Sequence, residues 1–124
     1  MKTISIKTET NIGLFILDNY QELNRILKNI IFEFKNKYPE SNTSNVNAWH
    51  SHYDTLHKEP RFNILTNKIL EKSHEYFIKT NSLHLSLYPV NFWVMEYEKG
   101  NYTTKHNHHP AALSSVYYLS LIHI

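Results

Sequence analysis

The part of the sequence that most constrains the fold is the aromatic-rich stretch at residues 91–119, NFWVMEYEKGNYTTKHNHHPAALSSVYYL. Its side chains alternate between two faces, which is typical of β-strands. We expect strands over residues 92–97, 102–108 and 113–119. Gly100 in the first break tolerates positive φ at low cost, and Pro110 in the second cannot donate a ladder hydrogen bond. A run of strands joined this closely predicts an antiparallel sheet.

Two histidines, His106 and His108, lie on the second of these predicted strands. Residues i and i+2 of a strand share a face, with Cα atoms about 6.5–7 Å apart. Two imidazoles so placed can bind one ion with bonds of about 2.0–2.1 Å. His109 is expected to point away from the pair. The motif alone is a weak signal, and the alternative is that both side chains are solvated polar residues at a strand end.

Several short motifs surround the histidines in a fixed order. They are Asn47-Ala48-Trp49-His50-Ser51, Trp93, Lys99-Gly100-Asn101-Tyr102, His106-Asn107-His108 and the run LSSVYYL at residues 113–119. In this order and spacing they resemble the iron(II)- and 2-oxoglutarate-dependent oxygenases, in particular a group common in marine phages and bacteria. The chain departs from the pattern in three places. Ser115 replaces a glycine, His109 displaces a proline by one position, and the better-known oxygenases have His-x-Asp in place of His-x-His.

The resemblance implies a fold, two cofactors and a set of site residues. The fold would be α+β, with two helices flanking an antiparallel sheet that forms the front part of a double-stranded β-helix, a jelly-roll or cupin-like barrel. The cofactors would be iron(II), held by His106 and His108, and 2-oxoglutarate, beside Tyr102 and Tyr118. These tyrosines have core packing as their alternative role. No catalytic side chain is assigned, and the substrate of the implied hydroxylase is unknown.

The resemblance also implies groups that the sequence lacks at matching positions. A third metal ligand and a basic residue for the 2-oxoglutarate carboxylate are expected beyond Ile124. Bidentate binding of a carboxylate suits arginine, yet Arg25 and Arg61 lie on predicted helices. We therefore expect this chain alone to be inactive.

The domain organisation follows from the order of elements. We expect one domain over residues 1–124, with a helical front part at 1–80 and a β core at 83–124. The strand-like run VYYLSLIHI ends without a turn or cap, which would leave an open sheet edge. The domain is therefore predicted to be incomplete at its C-terminus.

The first part of the chain predicts two helices. Apolar residues recur at helical spacing up to Pro39, and Asp18 or Asn19 is placed to cap this first helix. These apolar residues are Leu23, Ile26, Leu27, Ile30, Ile31 and Phe34. Pro60 suits the first turn of a second helix over residues 61–79. Two further strands are predicted over residues 3–8 and 83–88.

A second histidine cluster follows the polar linker at residues 40–47. His50 and His52 share the i, i+2 spacing, and Asp54 extends the series. No strand pattern surrounds them. We therefore expect Trp49 to pack in the core, and the histidines of this cluster, His57 included, to be polar surface residues that do not bind metal.

Composition excludes several classes of function. The 124-residue chain has no cysteine, so disulfides, thiolate nucleophiles and cysteine-based zinc sites are excluded. A formal charge of +2 is too small to indicate nucleic-acid or membrane partners. The expected partners are a small-molecule cosubstrate and an unknown substrate. The first ten residues lack an apolar signal region, so we expect a soluble cytoplasmic protein, encoded by a phage and acting in the infected host cell if the resemblance extends to origin.

Two readings from other classes stay open at this stage. One is a cupin-like or jelly-roll binding module without catalysis, and the other is a structural domain whose histidines are incidental. A downstream histidine followed about ten residues later by an arginine on a strand would favour the enzyme.

Overall fold

The computed structural model describes residues 11–43, 45–53, 56–81, 86–89 and 91–120. Two α-helices dominate it, and the other regular elements are short. In chain order these are α1 Tyr20–Lys37, β1 Val46–Asn47, β2 Trp49–His50, 3₁₀ turns at Leu56–Lys58 and Pro60–Phe62, α2 Asn63–Asn81, β3 Met95–Glu96 and β4 Tyr102–Thr103. In these described ranges, neither helix combines the length and apolar character that crossing a membrane requires.

Helix α1 confirms the first predicted helix. Leu23, Leu27 and Ile30 are its buried residues, spaced so that they lie on one face. The cap differs from the prediction, because the side chain of Asn19 makes no hydrogen bond to the helix. Asn19 instead adopts a left-handed conformation with φ 55°, a region that asparagine tolerates better than most residues. Its backbone carbonyl accepts from Leu23 N at 3.2 Å.

The second predicted helix is also confirmed. It begins as a 3₁₀ turn with Pro60 at the start, where a missing N–H costs nothing, and continues as α2. Glu59 caps this start, since its Oε1 accepts from Arg61 N at 3.2 Å. Phe62 and Leu65, from the turn and the helix, are both buried in the core.

The core lies between the helices and receives side chains from both halves of the sequence. The buried cluster consists of Leu23, Leu27, Ile30, Leu56, Phe62 and Leu65. Phe92, Val94, Tyr117 and Leu119 pack against it from the second half. Asn24 ties the last of these segments to α1, because its Nδ2 donates to Leu119 O at 2.9 Å while its Oδ1 accepts from Tyr117 Oη at 2.6 Å.

The α+β class is confirmed, but the predicted barrel is wrong. The described residues form two antiparallel sheets of two strands each, β1 with β4 and β2 with β3, and no jelly-roll or other barrel. The strands are also shorter than predicted. Residues 92–97 contribute only Met95–Glu96, residues 102–108 only Tyr102–Thr103, and residues 113–119 none. The strand predicted at 3–8 and the first half of the one at 83–88 lie outside the described residues, and residues 86–88 form no strand.

The pairing explains why the strands are short. β3 and β4 do not pair with each other across Gly100, as a hairpin would, but both pair with residues 46–50. Asn47 and Trp49 are two residues apart in sequence, whereas the residues that pair with them, Tyr102 and Glu96, are six apart. Four extra residues therefore leave the ladder as a loop. Within it Gly100 has φ 92°, and Asn101 N donates to Glu98 O at 3.0 Å.

The segment at residues 113–119 contains no strand and packs on helix α1. Tyr117 and Leu119 turn towards α1, while Val116 and Tyr118 are exposed. The alternation that predicted a strand is therefore present. Its apolar side is covered by α1, and the described residues supply no strand to pair with its backbone.

Candidate functional site

His106 and His108 lie in the segment that follows β4. This segment is no longer in a ladder, but its start is attached, since Thr104 N and Thr104 Oγ1 donate to Asn45 O at 2.9 Å and 3.2 Å. The two rings meet edge to face, with centroids 4.8 Å apart and planes at 86°. Both side chains are exposed. The structure thus brings the two predicted ligands together, although not on one face of a strand.

The ring of His106 is oriented by its own backbone. Its Nδ1 lies 2.8 Å from the carbonyl oxygen of Thr104. A carbonyl only accepts hydrogen bonds, so we assign the ring proton to Nδ1 in the neutral imidazole. The lone pair then belongs to Nε2. Metal-binding histidines commonly hold one ring nitrogen on a carbonyl in this way and present the other to the ion.

The ring of His108 is held by aromatic neighbours. It contacts the indole of Trp93 at 5.5 Å between centroids, with a tilt of 38°. Trp93 in turn stacks on His50 at 5.9 Å and 16°. Tyr53 closes the group, at 4.8 Å from the His50 ring and 5.1 Å from the indole. Aromatic pairs of this kind contribute about 0.5–1.5 kcal/mol beyond the area they bury.

His50 is a core residue, so the prediction that it is surface-polar is wrong. It is 1% exposed, and its Nδ1 donates to Ser51 O at 2.6 Å. Its backbone N and O are both bonded to Ser41, at 3.0 Å and 2.6 Å. Burial lowers the pKa of His50, opposed by the bond to Ser51 O, which favours the charged ring. Burial therefore favours the neutral form of this histidine, and its hydrogen bonds fix its position.

The neighbouring Trp49 is only half-buried. Its Nε1 donates to Tyr38 O at 2.9 Å, so it seals the edge of the core where we expected it to pack inside.

The other histidines are dispersed. His52 is exposed and packs edge-on against the ring of Tyr38 at 5.6 Å. His57 is half-buried, with its Nδ1 enclosed and not hydrogen-bonded by any described residue. His74 and His109 are exposed. His84, His123 and Asp54 lie outside the described residues.

The donor atoms fit part of an iron site. Neutral imidazole nitrogens suit divalent iron, and a facial iron site has two of them plus a carboxylate. Across the described ranges, no group of three or more histidine, cysteine, aspartate or glutamate side chains can hold an ion. The pair therefore fits two of the three protein ligands, and the described residues do not supply the third.

The two tyrosines predicted to contact 2-oxoglutarate are exposed to solvent. Tyr102 is 58% exposed on β4, and Tyr118 is 62% exposed on the segment that packs on α1. Their assignment to a cosubstrate pocket stays a prediction.

Both arginines of the chain are already engaged by carboxylates. Arg25 binds Glu22 at 2.7 Å, and Arg61 binds Glu33 at 2.6 Å and Glu59 at 2.9 Å. Glu22, in turn, has a lowered pKa because Arg25 donates to it. A bidentate arginine for the far carboxylate of 2-oxoglutarate would first have to leave its present partner.

Sequence reasoning missed the group formed by His50, Tyr53 and Trp93. The alternation around Trp93 indicated a strand residue, and the apolar and polar pattern at residues 49–53 gave no sign of burial. The only available signal was the co-occurrence of two aromatic, histidine-bearing segments.

No protein-family model, curated protein or solved structure matches this chain.

Proposed function

We propose that this chain binds a divalent metal ion through His106 and His108, as the histidine part of an iron(II)- and 2-oxoglutarate-dependent dioxygenase that hydroxylates an unknown substrate. The observation that carries the proposal is the meeting of the two rings at 4.8 Å, with Nδ1 of His106 bonded to Thr104 O. One ring nitrogen of His106 is thereby committed and the other is left for a ligand. The motif resemblance supplies the class of enzyme.

The roles of the chain's own residues follow from that geometry. His106 would bind the ion through Nε2, and Thr104 would fix the plane of its ring. His108 would provide the second nitrogen. Iron(II), when bound, would activate dioxygen as the oxidant, with 2-oxoglutarate as the reductant that is oxidised to succinate and carbon dioxide. Exposure of both rings leaves room for a cosubstrate beside the ion.

A second candidate is a metal-binding domain without catalysis. It is favoured by the absence of a third ligand from the described residues and by the occupied arginines. A site with two histidines and water can bind an ion without presenting a keto acid to it.

Metal binding is tested by titrating cobalt(II) or iron(II), without oxygen, into the wild type and into His106→Ala and His108→Ala. Each variant is expected to lose affinity by tenfold or more, which is about 1.4 kcal/mol. His74→Ala is the matched control, an exposed histidine on α2 whose loss should change nothing. Equal affinities in all four proteins would refute the site.

The class of function is tested with the cosubstrate. If 2-oxoglutarate joins the ion on the protein, it should raise the apparent affinity for iron(II), because binding free energies are linked reciprocally. Succinate is the control, since it lacks the keto group that completes a chelate. Turnover of 2-oxoglutarate to succinate that vanishes in His106→Ala would support the enzyme, and it would contradict the expectation that this chain alone is inactive. Metal binding that 2-oxoglutarate weakens by competition would support the non-catalytic domain.

A further inference from the structure

The ring of His108 is held differently from that of its partner. His106 has a hydrogen bond from Nδ1 to Thr104 O. Among the described residues, no hydrogen bond reaches either nitrogen of His108. Its ring contacts are the indole of Trp93 and the ring of His106. A ligand whose orientation is not fixed by a hydrogen bond must be fixed by packing, or it will rotate.

Trp93 is itself fixed from the other side. Its indole lies nearly parallel to the buried ring of His50, with 16° between the planes, and the edge of Tyr53 meets it at 71°. We call His50, Tyr53 and Trp93 the aromatic platform. His50 cannot move without breaking its bonds to Ser51 O and to Ser41.

The backbone beneath the platform is clamped as well. Ser51 N donates to Val94 O at 2.9 Å, and Ser51 Oγ accepts from Val94 N at 2.9 Å. Ser51, which follows His50, is thus hydrogen-bonded twice to Val94, which follows Trp93. This pair of bonds holds together the two backbone segments that carry the stacked rings.

We infer that Trp93 is a positioning residue for the metal site. Its indole is held in place by His50 and in turn limits the rotation of the His108 ring. The inference rests on the proposed function for its consequence in metal binding, but the contact between Trp93 and His108 stands on its own. The two histidines are therefore oriented by different means, His106 by a backbone carbonyl and His108 by an indole.

The contact is tested first in the wild-type protein without metal. Centroids 5.5 Å apart put ring protons of Trp93 and His108 within range of a nuclear Overhauser effect. We expect cross-peaks between the indole and His108, and none between the indole and His109. Absence of the His108 cross-peaks, in a spectrum that shows those between Trp93 and His50, would overturn the inference.

Variants then test positioning against mere structure. Trp93→Leu removes the flat surface, whereas Trp93→Phe retains an aromatic ring. In Trp93→Leu, the ring signals of His108 should move and those of His106 should stay. Cobalt(II) affinity should fall by about tenfold, the lower end of the effect of losing a residue that orients a metal ligand. Trp93→Phe should recover affinity to within about twofold of wild type.

Trp49→Leu is the matched control, because Trp49 is also half-buried and is hydrogen-bonded to Tyr38. It should reduce stability without changing metal affinity. Equal losses in Trp49→Leu and Trp93→Leu would reduce Trp93 to a structural role and overturn the inference.

Failure of the proposed function gives a different result. In that case His108→Ala leaves cobalt(II) affinity unchanged, while the cross-peaks and the selective shift of the His108 signals persist.

Discussion

The chain contains two His-x-His segments with the same spacing and opposite environments. His50 is 1% exposed, with its ring and backbone hydrogen-bonded, and His52 lies outside on the ring of Tyr38. His106 and His108 are both exposed, and their rings touch. In the first segment the two side chains separate to opposite environments. In the second they converge.

The difference arises from what lies across each segment. β2 pairs with β3, so His50 is covered by Trp93 and its ring becomes part of the interior. The segment after β4 has no partner strand among the described residues, and its two imidazole rings contact each other. Spacing sets which residues are neighbours, but the covering layer decides whether they become core or site.

The largest expected difference between the segments is in stability. His50→Ala should lower the free energy of unfolding by about 2–4 kcal/mol, because a buried ring, its stack on Trp93 and a hydrogen bond are lost together. His106→Ala, at an exposed position, should change it by less than about 0.5 kcal/mol. Urea unfolding followed by circular dichroism measures both. Similar losses in the two variants would abolish the distinction between core and site histidine.

A smaller effect on stability is expected from the two hydrogen bonds between Ser51 and Val94. Ser51→Ala removes the oxygen that accepts from Val94 N. The half-buried N–H is then unsatisfied, at a cost of about 1–2 kcal/mol. Ser114→Ala, an exposed serine in the second half, is the control and should be neutral. If Ser51→Ala unfolds at the same urea concentration as wild type, water replaces the serine and the clamp is not needed.

The smallest effect is a dependence of stability on pH. The folded protein lowers the pKa of His50 by burial, so the unfolded chain binds that proton more readily. The contribution of His50 is therefore fully present above the usual histidine value of about 6.5, and it is lost as the pH falls from there towards the lowered folded pKa. His50→Gln should flatten the stability profile in this acidic window. An unchanged slope in the variant would assign the pH dependence to other groups.

The helices were predictable from sequence because their apolar stripes are local. Leu23, Leu27 and Ile30 recur at helical spacing, and all three are buried. The pairing of strands was not, because it depends on segments about fifty residues apart. Gly100 was correctly placed in a turn, yet the turn is an insertion in a ladder with residues 46–50. No local sequence pattern distinguishes a loop inserted in such a ladder from the turn of a hairpin.

The candidate site was predictable only in part. The closeness of His106 and His108 was predicted from their spacing, but the strand expected to carry them ends at Thr103. Trp93 and His50 come together through the same long-range pairing. The barrel was predicted from resemblance, and it failed because residues 113–119 pack on α1 and not on another strand. The metal, the cosubstrate and the roles of Tyr102 and Tyr118 stay predictions.

The pairing of residues 46–50 with residues 95–103 also determines when His106 and His108 can come together during synthesis. Residues 46–50 emerge from the ribosome long before their partners at 95–103. At about 5–20 residues per second, the delay is several seconds. In that interval α1 and α2 can already associate, while Trp49 and His50 wait uncovered. Thr104 bonds to Asn45 as soon as β4 pairs, so the rings of His106 and His108 come together late in folding. A nascent chain halted before Thr104 would contain both helices but not the contact between the rings of His106 and His108.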